Sequence, residues 1–302
     1  MSSKQMVVAR GACAAMALCV FAAAGPSFAL DLWPKKAAVA DTARADYAVA
    51  ALDRALAEDR TLDAGRMLDQ AIAAGVSDPR LSLRAGELHL KRGRYEEAVR
   101  AFTEAEGTPA LRPAALQGRG LALSNLGRSA EAVAVLNQAV AADPAQWRAW
   151  NGLGVEHDRR RAWPEAEAAY AKAAAASGDA APVLNNRGYS RMLQGRYAEA
   201  SRDIVAALDK DPQLATARAN LRLLLAMQGD YDRATTVVSN QQKAEVYNNA
   251  VFVALMRSDL PEAERLLRES IDARGDTSGR AMENLQLVKA LQSPAPVAKA
   301  SQ

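Results

Sequence analysis

An alanine preceded by an acidic or polar residue recurs at a fixed interval, and nothing else in the chain limits its fold so tightly. Asp63-Ala64, Glu97-Ala98, Glu131-Ala132, Glu165-Ala166, Glu199-Ala200 and Arg233-Ala234 place that alanine every 34 residues, and Glu262-Ala263 follows after 29. A period of a few tens of residues marks an array in which one supersecondary unit stacks on the next. A unit of this kind cannot bury its apolar face alone, so the period itself predicts an elongated stack with nearest-neighbour packing.

Other positions keep the same phase. Gly86, Gly120, Gly154 and Gly188 recur early in the unit. A large apolar residue lies four after the alanine, at Leu68, Phe102, Leu136, Tyr170, Ile204, Val238 and Leu267. Three further on come Ala71, Ala105, Ala139, Ala173 and Ala207, with Gln241 and Ser270 breaking the row. Mid-unit glycines at Gly93, Gly127, Gly195 and Gly229 suit the left-handed close of a helix, and Arg161 stands at that point of the fourth unit. The pattern predicts two helices per unit: small residues where they approach, a large residue between units, and Pro144 and Pro212 at unit ends. The chain is half hydrophobic but only 5% aromatic. Its apolar content is mostly alanine and leucine, which favours helix over strand.

Trp150-Asn151-Gly152-Leu153-Gly154 followed by Pro164-Glu165-Ala166, Tyr170 and Ala173 resembles the tetratricopeptide repeat (TPR) pattern. Leu184-Asn185-Asn186-Arg187-Gly188-Tyr189, Tyr197-Ala198-Glu199-Ala200 and Asp211-Pro212 resemble it again. Seven units are expected, beginning near residues 45, 79, 113, 147, 181, 215 and 244, with an amphipathic capping helix over Ser278 to Gln292. The resemblance implies an all-α solenoid wound as a right-handed superhelix, with the first helix of each unit on the concave side. From Asn220 through Asp230-Tyr231 to Val246-Tyr247-Asn248-Asn249, the chain is similar to TadD-type proteins of the Flp/Tad pilus assembly system. Those are exported TPR proteins with one compressed unit and an Asn-rich unit after it.

On that arrangement a protein partner would lie in the concave groove. Two amide rows mark the first helices: Gln117, Asn151, Asn185 and Asn248, then Asn186, Asn220 and Asn249. A carboxamide offers one acceptor and two donors, so such rows suit a peptide backbone; they would serve equally to tie helices together. One turn on, Glu87, Leu121, Val155, Tyr189, Leu223 and Phe252 either line the groove or fill the core. Tyr189 and Phe252 join the amides as candidate partner contacts. Only Arg80 and Lys91 fall near the places of a basic carboxylate clamp.

Residues 1–29 read as a secretory signal peptide: Lys4 and Arg10, an apolar stretch from Gly11 to Ala24, then Ser27-Phe28-Ala29 for cleavage after Ala29. A retained N-terminal anchor is the alternative, and no lipidation motif fits Cys13 or Cys19. A flexible linker over 30–44 and a disordered tail over 293–302 flank the array at 45–292. Both cysteines lie in the signal segment, so the exported chain would have no disulfide or thiolate chemistry. Without Lys4 and Arg10, 36 basic residues face 35 acidic ones, a balance that argues against nucleic acid as a partner.

No catalytic, metal-binding or cofactor-binding constellation is expected. His89 and His157, the chain's two histidines, share one repeat position and read as packing residues. Gly118-Arg119-Gly120 has Leu123 where a dinucleotide motif needs its third glycine. The expected function is an exported periplasmic scaffold for protein partners in Flp/Tad-type pilus assembly or related secretion. The alternative is a general envelope scaffold for polysaccharide export or cell-wall machinery. Membrane association is expected only through partners or an uncleaved N-terminus.

Overall fold

The computed structural model describes residues 41–236, 240–274 and 280–292. The expected signal peptide, the tail over 293–302, Val238 of the large-residue row and most of the expected linker lie outside the described residues. Residues 1–44 and 45–302 separate as two units, and the repeats occupy the second.

Among the described residues there are fifteen helices and no strand. They pair as α1 (Asp41–Ala57) with α2 (Thr61–Ala73), α3 (Pro79–Lys91) with α4 (Tyr95–Ala105), and α5 (Arg112–Asn125) with α6 (Ser129–Ala142). Then come α7 (Trp147–Arg159) with α8 (Trp163–Ser177), α9 (Ala181–Leu193) with α10 (Tyr197–Lys210), and α11 (Ala215–Met227) with α12 (Tyr231–Thr235). Finally α13 (Asn240–Met256) pairs with α14 (Leu260–Arg274), and α15 (Arg280–Gln292) follows alone. One boundary differs from expectation. Helix α1 begins at Asp41, four residues inside the expected linker, where an acidic first residue and alanines suit a helix start. Helix α12 has only five residues, the physical form of the shortened repeat.

Each periodic position has a packing reason. Ala64, Ala98, Ala132, Ala166, Ala200 and Ala263 are fully buried, as are Ala71, Ala105, Ala139, Ala173 and Ala207. The large residue beside them is sandwiched. A Cβ built on Gly86 would stand 2.6 Å from the Phe102 ring, and one on Gly118, in the next unit, 2.3 Å from it. Gly120 and Gly152 flank Leu136 in the same way, at 2.6 and 3.1 Å, and Gly154 lies against Tyr170 at 2.5 Å. One side chain therefore seals its own helix pair and the joint to the next unit. Such a burial is worth about 1.5–3 kcal/mol, and among the described residues Leu68, Phe102, Leu136, Tyr170, Ile204 and Leu267 are all buried.

The loop between paired helices carries a left-handed residue in every unit: Asp59, Gly93, Gly127, Arg161, Gly195, Gly229 and Ser258, with φ between 55° and 86°. Glycine takes this conformation freely, whereas Arg161 holds it at a cost of about 1–2 kcal/mol.

Candidate partner-binding face

The first helices of successive units touch one another, α3 to α5, α5 to α7, α7 to α9, α9 to α11 and α11 to α13. Among the described residues the second helices α4, α6, α8 and α10 do not touch their counterparts. Helices that crowd together lie on the inside of a curved stack, and those that spread apart lie outside. The first helices thus form the inner wall.

On that wall the amides bond one another. Asn220 Nδ2 donates to Asn185 Oδ1 at 2.9 Å, and Asn185 Nδ2 donates to Asn186 Oδ1 at 3.2 Å. Asn186 Nδ2 then donates to Asn151 Oδ1 at 3.2 Å. This ladder stitches α11 to α9 and α9 to α7, with Asn185 buried and the others half-buried. Asn248 Oδ1 accepts from Ser270 Oγ at 3.0 Å, which explains why serine breaks the alanine row there: the hydroxyl fits the fully buried position and satisfies the amide. Gln117 is half-buried and Asn249 exposed. Tyr189 and Phe252 are both exposed on the wall, whereas Leu121, Val155 and Leu223 of the same row are half-buried.

Charged joints between helices escaped the sequence reading. Glu156 is completely buried, accepting from Ser129 Oγ at 2.5 Å, from Arg159 Nη1 at 2.6 Å and from Ser124 Oγ. Arg159 also donates to the Ser124 carbonyl at 2.9 Å, and Arg160 to Ser129 Oγ at 3.2 Å. The basic run Arg159-Arg160-Arg161 that closes α7 ties the fourth unit to the third. Asp158 accepts from Ser190 Oγ at 2.6 Å and Tyr170 Oη at 2.7 Å. Burial pushes its carboxyl above the usual aspartate range, against the two hydroxyls that favour the charged form. Burial, with Asp158 close by, likewise pushes the Tyr170 phenol up. Asp203 is buried and takes a bidentate bond from Arg187 at 2.8 and 2.7 Å and a further one from Arg191 at 2.8 Å. A signal was available: Glu156 occupies the row of Leu88, Ala122, Ser190 and Leu224, and Asp203 that of Ala101, Val135 and Ala169. Charge in an apolar row announces a joint.

Two grooves accompany these faces. One of about 450 Å³ lies by α2, α3 and the end of α4, among Leu68, Ile72, Val76 and Leu81, away from the inner wall. The other, of about 490 Å³, lies between α13 and α15.

A tetratricopeptide repeat family model matches residues 49–114, 118–181 and 185–237, together more than half of the chain. The chain belongs to the tetratricopeptide repeat family. A crystal structure of a TPR protein from Parabacteroides merdae superposes with a TM-score of 0.52 at 16% identity, covering 82% of this chain and 99% of that one. The APC/C hetero-tetramer Cut9–Hcn1 superposes at 0.61 with 16% identity over 86% of this chain and 50% of that one. TTC0263, a TPR protein of Thermus thermophilus, superposes at 0.53 with 18% identity over 62% and 99%. At these identities the likeness is one of fold. No curated protein matches the sequence at a significant level.

As a TPR array the chain works by presenting surface to protein partners, and its remaining motifs are absorbed by packing. Gly118 and Gly120 sit within α5 against Phe102 and Leu136, so Gly118-Arg119-Gly120 is a pair of close approaches. His89 is half-buried, and burial lowers its imidazole pKa. Among the described residues no group of three or more His, Cys, Asp or Glu stands close enough to hold a metal ion, and no helix is long and apolar enough to cross a membrane.

Proposed function

We propose that this chain is an exported periplasmic TPR adaptor that holds a partner protein along its inner wall, in Flp/Tad-type pilus assembly or a related secretion system. The observation that carries the reading is the wall itself: contiguous first helices, locked in place by the asparagine ladder, with Tyr189 and Phe252 left open to solvent. Large aromatic side chains on a rigid frame are the anchors that protein interfaces favour. The cationic, then apolar, then small-residue start of the sequence supports export, with cleavage after Ala29. The order of the compressed sixth unit and the Asn-rich seventh supports the pilus assignment by its similarity to TadD-type proteins.

The test is crosslinking and capture with the full chain from a cell-envelope extract, with N-terminal sequencing of the exported product. Capture of envelope secretion or pilus components through the inner wall is expected, together with a mature N-terminus at Leu30. Recovery of cytoplasmic proteins only would overturn the assignment.

A further inference from the structure

The joint between the first two units lacks side chains that the following joints possess. Where α3 carries Ser82, the next three units carry Leu116, Trp150 and Leu184. Where it carries Ala85, they carry Arg119, Leu153 and Arg187. The larger side chains close their joints. Leu116 and Leu184 are buried, and Trp150 packs on the cluster that holds Val140, with the Lys172 ammonium 4.3 Å from its ring centroid. Arg119 pairs with Glu106 of the preceding unit at 2.7 Å. Ser82 and Ala85 leave the corresponding space open, and it forms the groove of about 450 Å³ over Leu68, Ile72, Val76 and Leu81.

The consequence falls on Ile72. Its row continues through Glu106, Val140, Ala174, Leu208 and Ile271. Val140 is 7% exposed, Ala174 6% and Ile271 7%, and Glu106 and Leu208 are half-buried, but Ile72 is 61% exposed. A terminal repeat keeps an array soluble by a polar outer face, and here that face is apolar. At the rim, Glu104 accepts from Ser82 Oγ at 3.2 Å, which leaves its carboxylate with acceptor capacity to spare. Glu104 stands where the fourth unit has Lys172, so the charge at this place is reversed.

We propose that the groove of α2, α3 and the end of α4 is a docking site for a segment of a partner protein that supplies what the joint lacks: a leucine or tryptophan side chain with an arginine or lysine beside it. The chain's own repeats define this chemistry. Protein side chains fill the equivalent space at the next three joints, so protein side chains suit it here. The bulky apolar group covers Ile72 and takes the place over Ser82 that Leu116 and Trp150 fill in their units. In the fourth unit the array provides the cation itself; here it provides the anion, Glu104, and the cation comes from outside. The groove lies away from the inner wall, so the inference is independent of what that wall holds. A chain occupied at both places bridges two proteins.

The test uses the purified full chain and a labelled synthetic peptide of about 12 residues. The peptide carries two Leu-x-x-Arg sequences, the spacing of Leu116 and Arg119 and of Leu184 and Arg187, with serine and glutamine elsewhere. Fluorescence anisotropy should show binding. Ser82→Leu with Ala85→Arg rebuilds the third unit's pattern in α3, fills the groove and should weaken binding at least about tenfold. Ile72→Ser, at an exposed position that leaves the fold intact, should weaken it at least about fivefold. Glu104→Gln should weaken it about two- to fivefold at low salt and leave it unchanged at high salt. Phe252→Asp, on the inner wall, should have no effect. Binding that survives both the filled groove and Ile72→Ser would overturn the proposal. So would equal binding of a peptide with glutamates in place of its arginines, or no binding at about 1 mM peptide. A dimer of this chain in sedimentation that Ile72→Ser dissolves would overturn it too, by making a second copy the occupant.

Discussion

Gly118→Ala isolates the contact that sets the repeat spacing. The glycine lies on α5 of the third unit and faces the Phe102 ring on α4 of the second, where an added Cβ would stand 2.3 Å from Cζ. Ordinary carbon–carbon contact needs about 3.5 Å, so the ring or the helix must give way by about 1.2 Å. The ring has no room on its other side, because Gly86 presses there at 2.6 Å in the same sense. Overpacking of this kind costs about 1–3 kcal/mol. Phe102→Ala alone should cost about 3–5 kcal/mol, since the ring is 1% exposed. In the double variant the new methyl enters the space the ring vacated. The two changes should then fall short of additivity by at least about 1 kcal/mol. Urea denaturation followed by far-ultraviolet circular dichroism, on the four members of the cycle, reads both quantities. A neutral Gly118→Ala, or a double variant that equals the sum, would refute the argument that one side chain seals two joints.

Other outcomes follow from the same structure. Arg161→Gly should raise the thermal midpoint by relieving about 1–2 kcal/mol of left-handed strain, less the entropy glycine loses on folding, and Gly195→Ala at the equivalent turn, φ 75°, should lower it. Glu156→Ala should cost about 1–3 kcal/mol in denaturant titration, because Ser124 and Ser129 lose a buried acceptor while Arg159 keeps access to water. The pH dependence of two carboxylates should have opposite sign. The folded pKa of Asp158 is raised by burial, so its favourable contribution is complete below the ordinary aspartate pKa and is lost as pH rises through the raised value. Asp158→Asn should therefore gain stability relative to the parent as pH rises from the acid range towards neutrality. The folded pKa of Glu199 is lowered by its bond to Arg196, so that contribution is present above the ordinary glutamate pKa and lost as pH falls; Glu199→Gln should lose ground as pH rises. Denaturant midpoints at several pH values check both slopes, and parallel slopes would contradict the assignment.

The sequence by itself determined the repeat architecture. A 34-residue period in small and large apolar positions leaves one packing solution, because alanine and glycine must lie where helices approach and the large residue must fill what remains. The break of 29 residues was equally legible, and α12 is where the missing turn of helix was taken out. It also named the glycine turns and the position where Arg161 takes over. What only the tertiary structure decided is which polar groups spend their hydrogen bonds inside the array. Asn151, Asn185 and Asn186 share a pattern that suits a partner's backbone, yet their ladder forms because inner helices stand close enough for amides a unit apart to meet. The buried charges Glu156 and Asp203 are stable only because serines or arginines from neighbouring helices converge on them, a coincidence in space that no spacing along the chain displays. The same holds for α15. Leu285, Leu287 and Leu291 were readable as a cap, but which of them faces inward depends on how α14 holds the helix: Leu285 is buried in the last unit's core, whereas Leu287 and Leu291 stay exposed.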